Sequence, residues 1–262
     1  MRLGCHPHIS TSKRENGMSE IKLYNDDCFN VFPQIADKSV DMILCDLPYG
    51  TTRNKWDSVL PFDKLWKEYE RVIKDDGAIV LFSDGMFEAE LMVSNKKLWR
   101  YNLVWKKGER TSGFLNANRM PLRNHETICV FYKKLPVYNP QFTEGRPLHG
   151  KGTKIFSEEN SFVNNNYGDY KPTDDKRKGE TRKYPKSVLN FERPHPPIHP
   201  TQKPVDLLEW LVRTYTNEGM TVLDNCMGVG STGIACKNLN RNFIGIEITE
   251  RYYKIAEQSL MG

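Results

Sequence analysis

The chain has 262 residues, a mass of 30.4 kDa, 38% hydrophobic residues and a formal net charge of +5. That is enough for one sizeable core with a modest insert, and too little for two large domains. No apolar run approaches the roughly 20 residues that cross a bilayer, and no apolar signal segment opens the chain, so a soluble intracellular protein without a membrane partner is expected. Six cysteines scattered without CxxC spacing argue against a disulfide framework or a zinc site and read as reduced packing residues.

In chain order, residues 1–17 are polar and aperiodic and precede Met18, a natural start, so they are expected to be a disordered extension or the product of an upstream start site. Ile21 to Tyr24 reads as a strand running into Asn25-Asp26-Asp27-Cys28, with a short helix over Phe29 to Ile35. Val40 to Cys45 reads as a buried strand. Phe62, Leu65, Trp66, Tyr69, Val72 and Ile73 recur at helical spacing, and Asp75-Asp76-Gly77 ends that helix before a strand over Ala78 to Phe82. A helix over Met86 to Ser94 and strands over Tyr101 to Trp105 and Thr127 to Tyr132 follow.

From about Gly108 to Pro197 the composition turns to Gly, Asn, Lys, Arg, Tyr and Pro, and apart from the strand near 127–132 little is periodic. Regular structure returns with an amphipathic helix opened by Pro204. Then come a strand over Met220 to Leu223, a glycine turn, a helix over Ser231 to Leu239, a strand over Phe243 to Ile248, and a last helix over Thr249 to Leu260 with Thr249 as its N-cap.

The charge is unevenly placed. Arg100 to Lys203 carries 20 Lys and Arg against 10 Asp and Glu, while the rest of the chain carries 18 against 23. The middle is therefore the part suited to a polyanion. Lys106, Lys107, Arg110, Arg119, Arg123, Arg177, Lys178, Arg182 and Lys183 are candidates for phosphate contact. Asn116, Asn118 and Asn164 to Asn166 carry amides that pair well with adenine edges, although loop propensity alone also accounts for them.

Two motifs end strand-like runs, the position where open α/β sheets bind ligands. In Asp224-Asn225-Cys226-Met227-Gly228-Val229-Gly230, the glycines permit a tight turn and the helix from Ser231 presents free N–H groups. One helix later, Glu247 closes a strand at the spacing of an acid that accepts ribose hydroxyls. A third glycine is missing, and Asp224 suits an ammonium better than a phosphate, which points to an adenosine-type cofactor bearing an amino acid group. In Asp46-Leu47-Pro48-Tyr49, a carboxylate and the Leu47 carbonyl can accept the two N–H bonds of an amine on a flat ring and hold its nitrogen toward an electrophile. Pro48 stiffens the turn, and Tyr49 can stack on a base removed from a duplex.

Together with Asp26-Asp27-Cys28 and His199-Pro200-Thr201-Gln202-Lys203-Pro204, these motifs stand in an order that resembles the beta group of S-adenosylmethionine-dependent DNA amino-methyltransferases, over roughly residues 21–260. The resemblance implies a Rossmann-like α/β fold with a circularly permuted motif order and a mostly parallel seven-stranded sheet holding one antiparallel strand. It divides the chain into a catalytic half (18–107), a target-recognition insert (108–197, including the core strand near 127–132) and a cofactor-binding half (198–262).

By the same resemblance Asp27, with Cys28 beside it, accepts the cofactor's adenine amino group, although a capping Asp would look the same. Thr201 and Lys203 approach the methionine carboxylate. Asp46, Asp224, Cys226, Gly228, Gly230, Ser231 and Glu247 complete the cofactor contacts, and no metal is needed. The family usually has proline where Leu47 stands, which leaves the carbonyl in place and loosens the turn.

The expected reaction is direct transfer of methyl to adenine N6 in double-stranded DNA with the target base flipped out, since Asp at the first motif position goes more often with adenine and Ser with cytosine. Cytosine N4 is the alternative. Methyltransferases of RNA or of protein side-chain amides usually place the cofactor turn before the catalytic motif, the reverse of the order here. The resemblance also places the protein in the cytoplasm of a bacterium or a phage-infected cell, and dimerisation is common in the family. Nothing in the chain resembles a nuclease site, so cleavage would need a separate restriction endonuclease.

Overall fold

Apolar side chains alternate along the central strands and leave neither face polar. In β3 (Val40–Cys45), Met42 and Leu44 point to one face and Ile43 and Cys45 to the other. In β4 (Ile73–Ser83), Ala78, Val80 and Phe82 oppose Ile79 and Leu81, and every one of these residues is at most 1% exposed. Such a sheet needs a helical layer on each side.

The structure is a computed structural model that describes residues 8–12, 19–51, 57–148, 179–195 and 202–262. One helical layer holds α1 (Cys28–Val31), α2 (Phe62–Val72) and α3 (Gly85–Ser94). The other holds α4 (Val205–Tyr215), α5 (Ser231–Asn238) and α6 (Glu250–Met261). Among the described residues, no helix is long and apolar enough to cross a membrane.

The remaining strands are β1 (His8–Ser12), β2 (Ile21–Asn25), β5 (Trp99–Lys106), β6 (His125–Phe131), β7 (Thr143–Glu144), β8 (Arg182–Lys183), β9 (Val188–Asn190), β10 (Thr221–Asp224) and β11 (Asn242–Ile246). Among the described residues, nine strands form one sheet in the order β1-β2-β11-β10-β3-β4-β6-β5-β9. From β2 to β4 all pairings are parallel, β6 runs antiparallel to both β4 and β5, and β9 runs parallel to β5. The expected seven strands with one reversed are therefore present, with β1 and β9 added at the edges.

Three expectations change. Residues 8–12 are not disordered: they pair antiparallel with β2 from His8 opposite Asn25 to Ser12 opposite Ile21. The open edge of β2 offers unpaired N–H and C=O groups that any extended segment can take up. Side chains add to this, because Ser10 Oγ donates to Glu257 and the Tyr253 hydroxyl donates to Ser10 Oγ at 2.9 Å. These long-range contacts leave no periodic mark on a polar segment.

Asp75-Asp76-Gly77 does not separate helix from strand, since β4 already starts at Ile73 and runs through it. A Cβ at Gly77 would lie 2.8 Å from the Asp41 carbonyl oxygen, so the glycine serves close strand approach as well.

The insert is narrower than 108–197. The compact smaller unit is Pro140–Lys186, and the larger unit comprises Met1–Asn139 with Ser187–Gly262. Residues 108–139 stay with the larger unit because β6 fills the sheet between β4 and β5, and Val188 to Asn190 return to it by pairing with Val104 to Lys106. In the smaller unit β7 and β8 pair antiparallel, the Phe142 and Tyr184 rings lie 5.0 Å apart, and Arg182 stands over Phe142.

Leu211 is fully buried at the centre of α4 against the sheet. Leu211→Ala should lower the unfolding free energy by about 2–5 kcal/mol, read as a reduced urea midpoint with an unchanged slope.

Candidate active site

Val222 pairs with Met42 and Leu223 with Ile43, which sets the carboxyl ends of β10 and β3 side by side. The sheet continues to β11 on one side of this pair and to β4 on the other. The connections diverge here and leave a crevice at the strand ends. A cavity of about 820 Å³ opens in it, walled by both Asp46 to Tyr49 and Asp224 to Gly228.

Asp46 is the hub of the catalytic end. Its Oδ1 accepts the Tyr49 hydroxyl at 2.8 Å, and its Oδ2 accepts Lys203 Nζ at 2.7 Å. The Tyr49 ring lies on Phe87, with centroids 4.9 Å apart and planes inclined by 27°, so one face is already covered. Leu47 faces inward, 3% exposed. Asp57 Oδ1 accepts the Gly50 amide at 2.8 Å and ties down the turn that Leu47 was expected to loosen.

Lys203 is 6% exposed and stands over the rings of Phe82 and Trp105. Its ammonium also lies 3.0 Å from Glu126 Oε2, and Glu126 Oε1 is paired at 2.5 Å with Lys107. Charges thus alternate along Asp46, Lys203, Glu126 and Lys107. Burial raises the Asp46 carboxyl and Lys203 opposes the rise only in part. Burial would lower the Lys203 ammonium, but Asp46 and Glu126 outweigh it and hold it cationic. Burial likewise works against ionisation of Glu126, and Lys203 and Lys107 reverse the effect.

Two assignments change as a result. Lys203 is engaged by carboxylates at the catalytic end, which an isolated reading of its proline-bounded motif could not reveal. Lys107 is 5% exposed and paired with Glu126, so it is not free to meet a phosphate. Glu126 was missed altogether. Its only sequence signal is an acid opening the otherwise apolar run His125 to Phe131.

The cofactor end gathers Asp27, Cys28, Cys226, Gly228, Ser231 and Glu247 on the same cavity wall. Asp224 is 3% exposed and accepts the Cys226 amide at 3.1 Å, and burial pushes its carboxyl up to about 7. Glu247 accepts Gly228 N at 2.9 Å and Thr249 N at 2.7 Å, which fixes its orientation at the end of β11. Asp27 caps α1 by accepting Phe29 N at 2.8 Å while still lining the cavity, so the capping and binding readings are compatible. Burial raises the Cys28 thiol well above its ordinary range, which keeps it protonated.

Ser231 Oγ, at the first turn of α5, is buried and without a hydrogen-bond partner among the described residues. Gly228 and Gly230 both have positive φ, at +54° and +83°. Only Gly228 lines the cavity; a Cβ at Gly230 would come within 2.9 Å of the Ala256 Cβ, so that glycine serves the packing of α5 on α6. Thr201 lies outside the described residues, as do His199, Pro200, Asn164 to Asn166, Arg177 and Lys178.

A family model described as DNA methylase matches residues 40–258. The type II methyltransferase M.BglII of Bacillus subtilis is 30% identical over 282 residues, covering 97% of this chain and 72% of that protein. The DNA adenine methyltransferase YhdJ of Escherichia coli strain K12 is 26% identical over 281 residues, covering 99% and 87%. Among solved structures, the complex of M1.HpyAVI with SAM superposes with a TM-score of 0.62 at 24% identity, covering 92% of this chain and all of that one, and so shares the Rossmann-like fold. With strand-end acids, glycine turn and motif order all in place, the chain belongs to the DNA methylase family whose members modify adenine N6 or cytosine N4.

Proposed function

We propose that this protein transfers a methyl group from S-adenosylmethionine to the exocyclic N6 of adenine in double-stranded DNA. The observation that carries the reading is that one cavity holds Asp46, a carboxylate suited to an amine, and the Asp224 and Ser231 pair, suited to an amino acid group.

The residues fit that cofactor. Ser231 Oγ and the free amides at the start of α5 suit its carboxylate, Asp224 its ammonium, Glu247 the ribose hydroxyls and Asp27 the adenine amino group. When bound, the cofactor supplies a methyl group on a cationic sulfur. The protein's part is to aim a nucleophile at it. An exocyclic amine delocalises its lone pair into the ring, and accepting its N–H bonds at Asp46 and at the Leu47 carbonyl favours a pyramidal nitrogen. As the nitrogen gains its bond to carbon it sheds a proton, and Asp46 is placed to receive it. No protein nucleophile is needed.

Asp46 supports adenine because Asp at this position accompanies adenine more often within the family. YhdJ, whose name specifies adenine, aligns over nearly the whole chain. The target amine reaches a cavity at the strand ends only if its base leaves the duplex, with the open face of Tyr49 available for stacking. DNA would be met in part by the loop between β5 and β6. Arg110 and Arg119 are exposed there beside Phe114 and Leu115, which are 76% and 83% exposed. A basic loop with apolar tips suits a phosphate backbone next to an opened base step.

Single-nucleotide mapping of methylated bases in DNA from expressing cells tests the reaction. N6-methyladenine within one short motif is the expected mark, and Asp46→Ala should reduce transfer by about 10²–10⁴-fold. Methyl on cytosine N4 would reassign the base, and methyl on RNA or protein alone would overturn DNA as substrate.

Asp224 gives a second test. Its folded pKa of about 7 lies above the unfolded carboxylate value, so the free protein carries no penalty from it in acid and loses stability as pH rises toward and through 7. Melting temperatures should fall across that window, and Asp224→Asn should flatten the fall. An ammonium beside Asp224 would favour its ionised form, so cofactor binding near pH 7 should release a proton. Calorimetry in buffers of different ionisation enthalpy measures this.

A further inference from the structure

The buried charges behind Asp46 are more than structural fasteners. A lone ammonium 2.7 Å from Asp46 would stabilise its carboxylate and weaken it as a proton acceptor. Glu126, 3.0 Å from the same ammonium, draws on that charge from the far side, and Lys107 holds Glu126 ionised from beyond at 2.5 Å. Glu126 lines the cavity with Oε2 buried and not aligned for a hydrogen bond, so it acts on Lys203 through charge. All three sit where water is scarce and Phe82 and Trp105 face the two ammonium groups, conditions that strengthen each charge's effect on the next.

Resting on the reading above of Asp46 as the group that meets the amine, we propose that Lys203 and Glu126, backed by Lys107, are positioning residues that set how readily Asp46 accepts the proton released by the methylated amine. Lys203 keeps Asp46 ionised enough to accept N–H bonds before transfer, and Glu126 keeps it basic enough to take a proton afterwards. In that step the amine nitrogen forms the bond to the methyl carbon, the carbon–sulfur bond breaks with its electron pair left on sulfur, and the proton passes from nitrogen to Asp46 and then to water. The other groups facing Asp46 are Tyr49, which donates to Oδ1, and Asp224 and Cys226 across the cavity, which remain unchanged in the test.

Two substitutions should act in opposite directions. Glu126→Gln leaves the Lys203 charge to Asp46 alone and should move its titration, and the acid limb of the kcat profile, down by about one pH unit. Lys203→Met leaves Asp46 near Glu126 and should move both up by a similar amount. Lys203→Arg keeps the charge and should restore the wild-type limb. The direct readout is the ¹³C carboxyl resonance of Asp46 followed through pH in full-length protein, assigned by its loss in Asp46→Asn, with melting curves to establish folding.

Opposite shifts in the two variants establish the inference. An Asp46 titration that stays in place in both folded variants overturns it, even if their activity falls, because a merely structural role would lower activity without moving the titration. Should Lys203→Met not fold, the sign of the Glu126→Gln shift still decides. Opposite shifts in a protein that transfers no methyl to DNA would uphold the charge relation while overturning the proposed function.

Discussion

The pairing of β10 with β3 is the constraint on which the rest depends. Two adjacent strands from the last quarter of the chain, β10 and β11, insert between β2 and β3 from the first, and the parallel register of β10 with β3 brings Asp224 and Asp46 to one edge of the sheet. Burial drives the insertion: Val222 and Leu223 are fully covered on opposite faces, Val222 under α4 and α5 and Leu223 in the layer of α1 and α2. Once β10 occupies that slot, β11 must lie between it and β2, and Glu247 is carried to the same edge. The cavity is a consequence of strand order, because the chain leaves β3 and β10 in opposite directions across the sheet.

Within that crevice the two ends differ electrically. At the cofactor end, acids are oriented by backbone amides: Gly228 and Thr249 hold the buried Glu247, Phe29 holds the half-buried Asp27, and Cys226 holds the buried Asp224. Such contacts fix direction and leave lone pairs for a ligand. At the catalytic end, side-chain charges do the orienting through a chain of alternating sign that runs from the cavity wall into the interior. Breaking one member would strand another without a counter-ion, so the chain holds together as a unit.

The strands β6 and β9 connect the basic, largely aperiodic middle of the chain to this scaffold. Glu126 stands near the start of β6, and Asn190 ends β9 beside Lys106. Residues that look like part of a basic insert thus serve the central sheet, and one supplies a charge to the catalytic wall. Lys107 illustrates the point: its position in a basic stretch suggests a polyanion, and its burial against Glu126 makes it an internal counter-ion.

Periodicity made the seven central strands and their helices legible, and residue type and spacing both strand-end motifs, while β1, β7, β8 and β9 left no periodic signal. Val40–Cys45 and Ser231 as the start of α5 were legible because local patterning and burial agree there. Asp46, Asp224 and Glu247 were legible because each stands at the end of a strand, whereas Glu126 lies near the start of one and was not. Tertiary structure decided what depends on contacts between distant residues. It recruited polar residues 8–12 to an open edge, extended β4 through three turn-forming residues, gave Gly230 to helix packing, and seated Lys203 between Asp46 and Glu126, which lie 157 positions away in one case. The physical reason is common to these cases. Periodicity records which face of an element is buried, whereas the partner of a buried charge or of an open strand edge is set only when the chain has closed on itself.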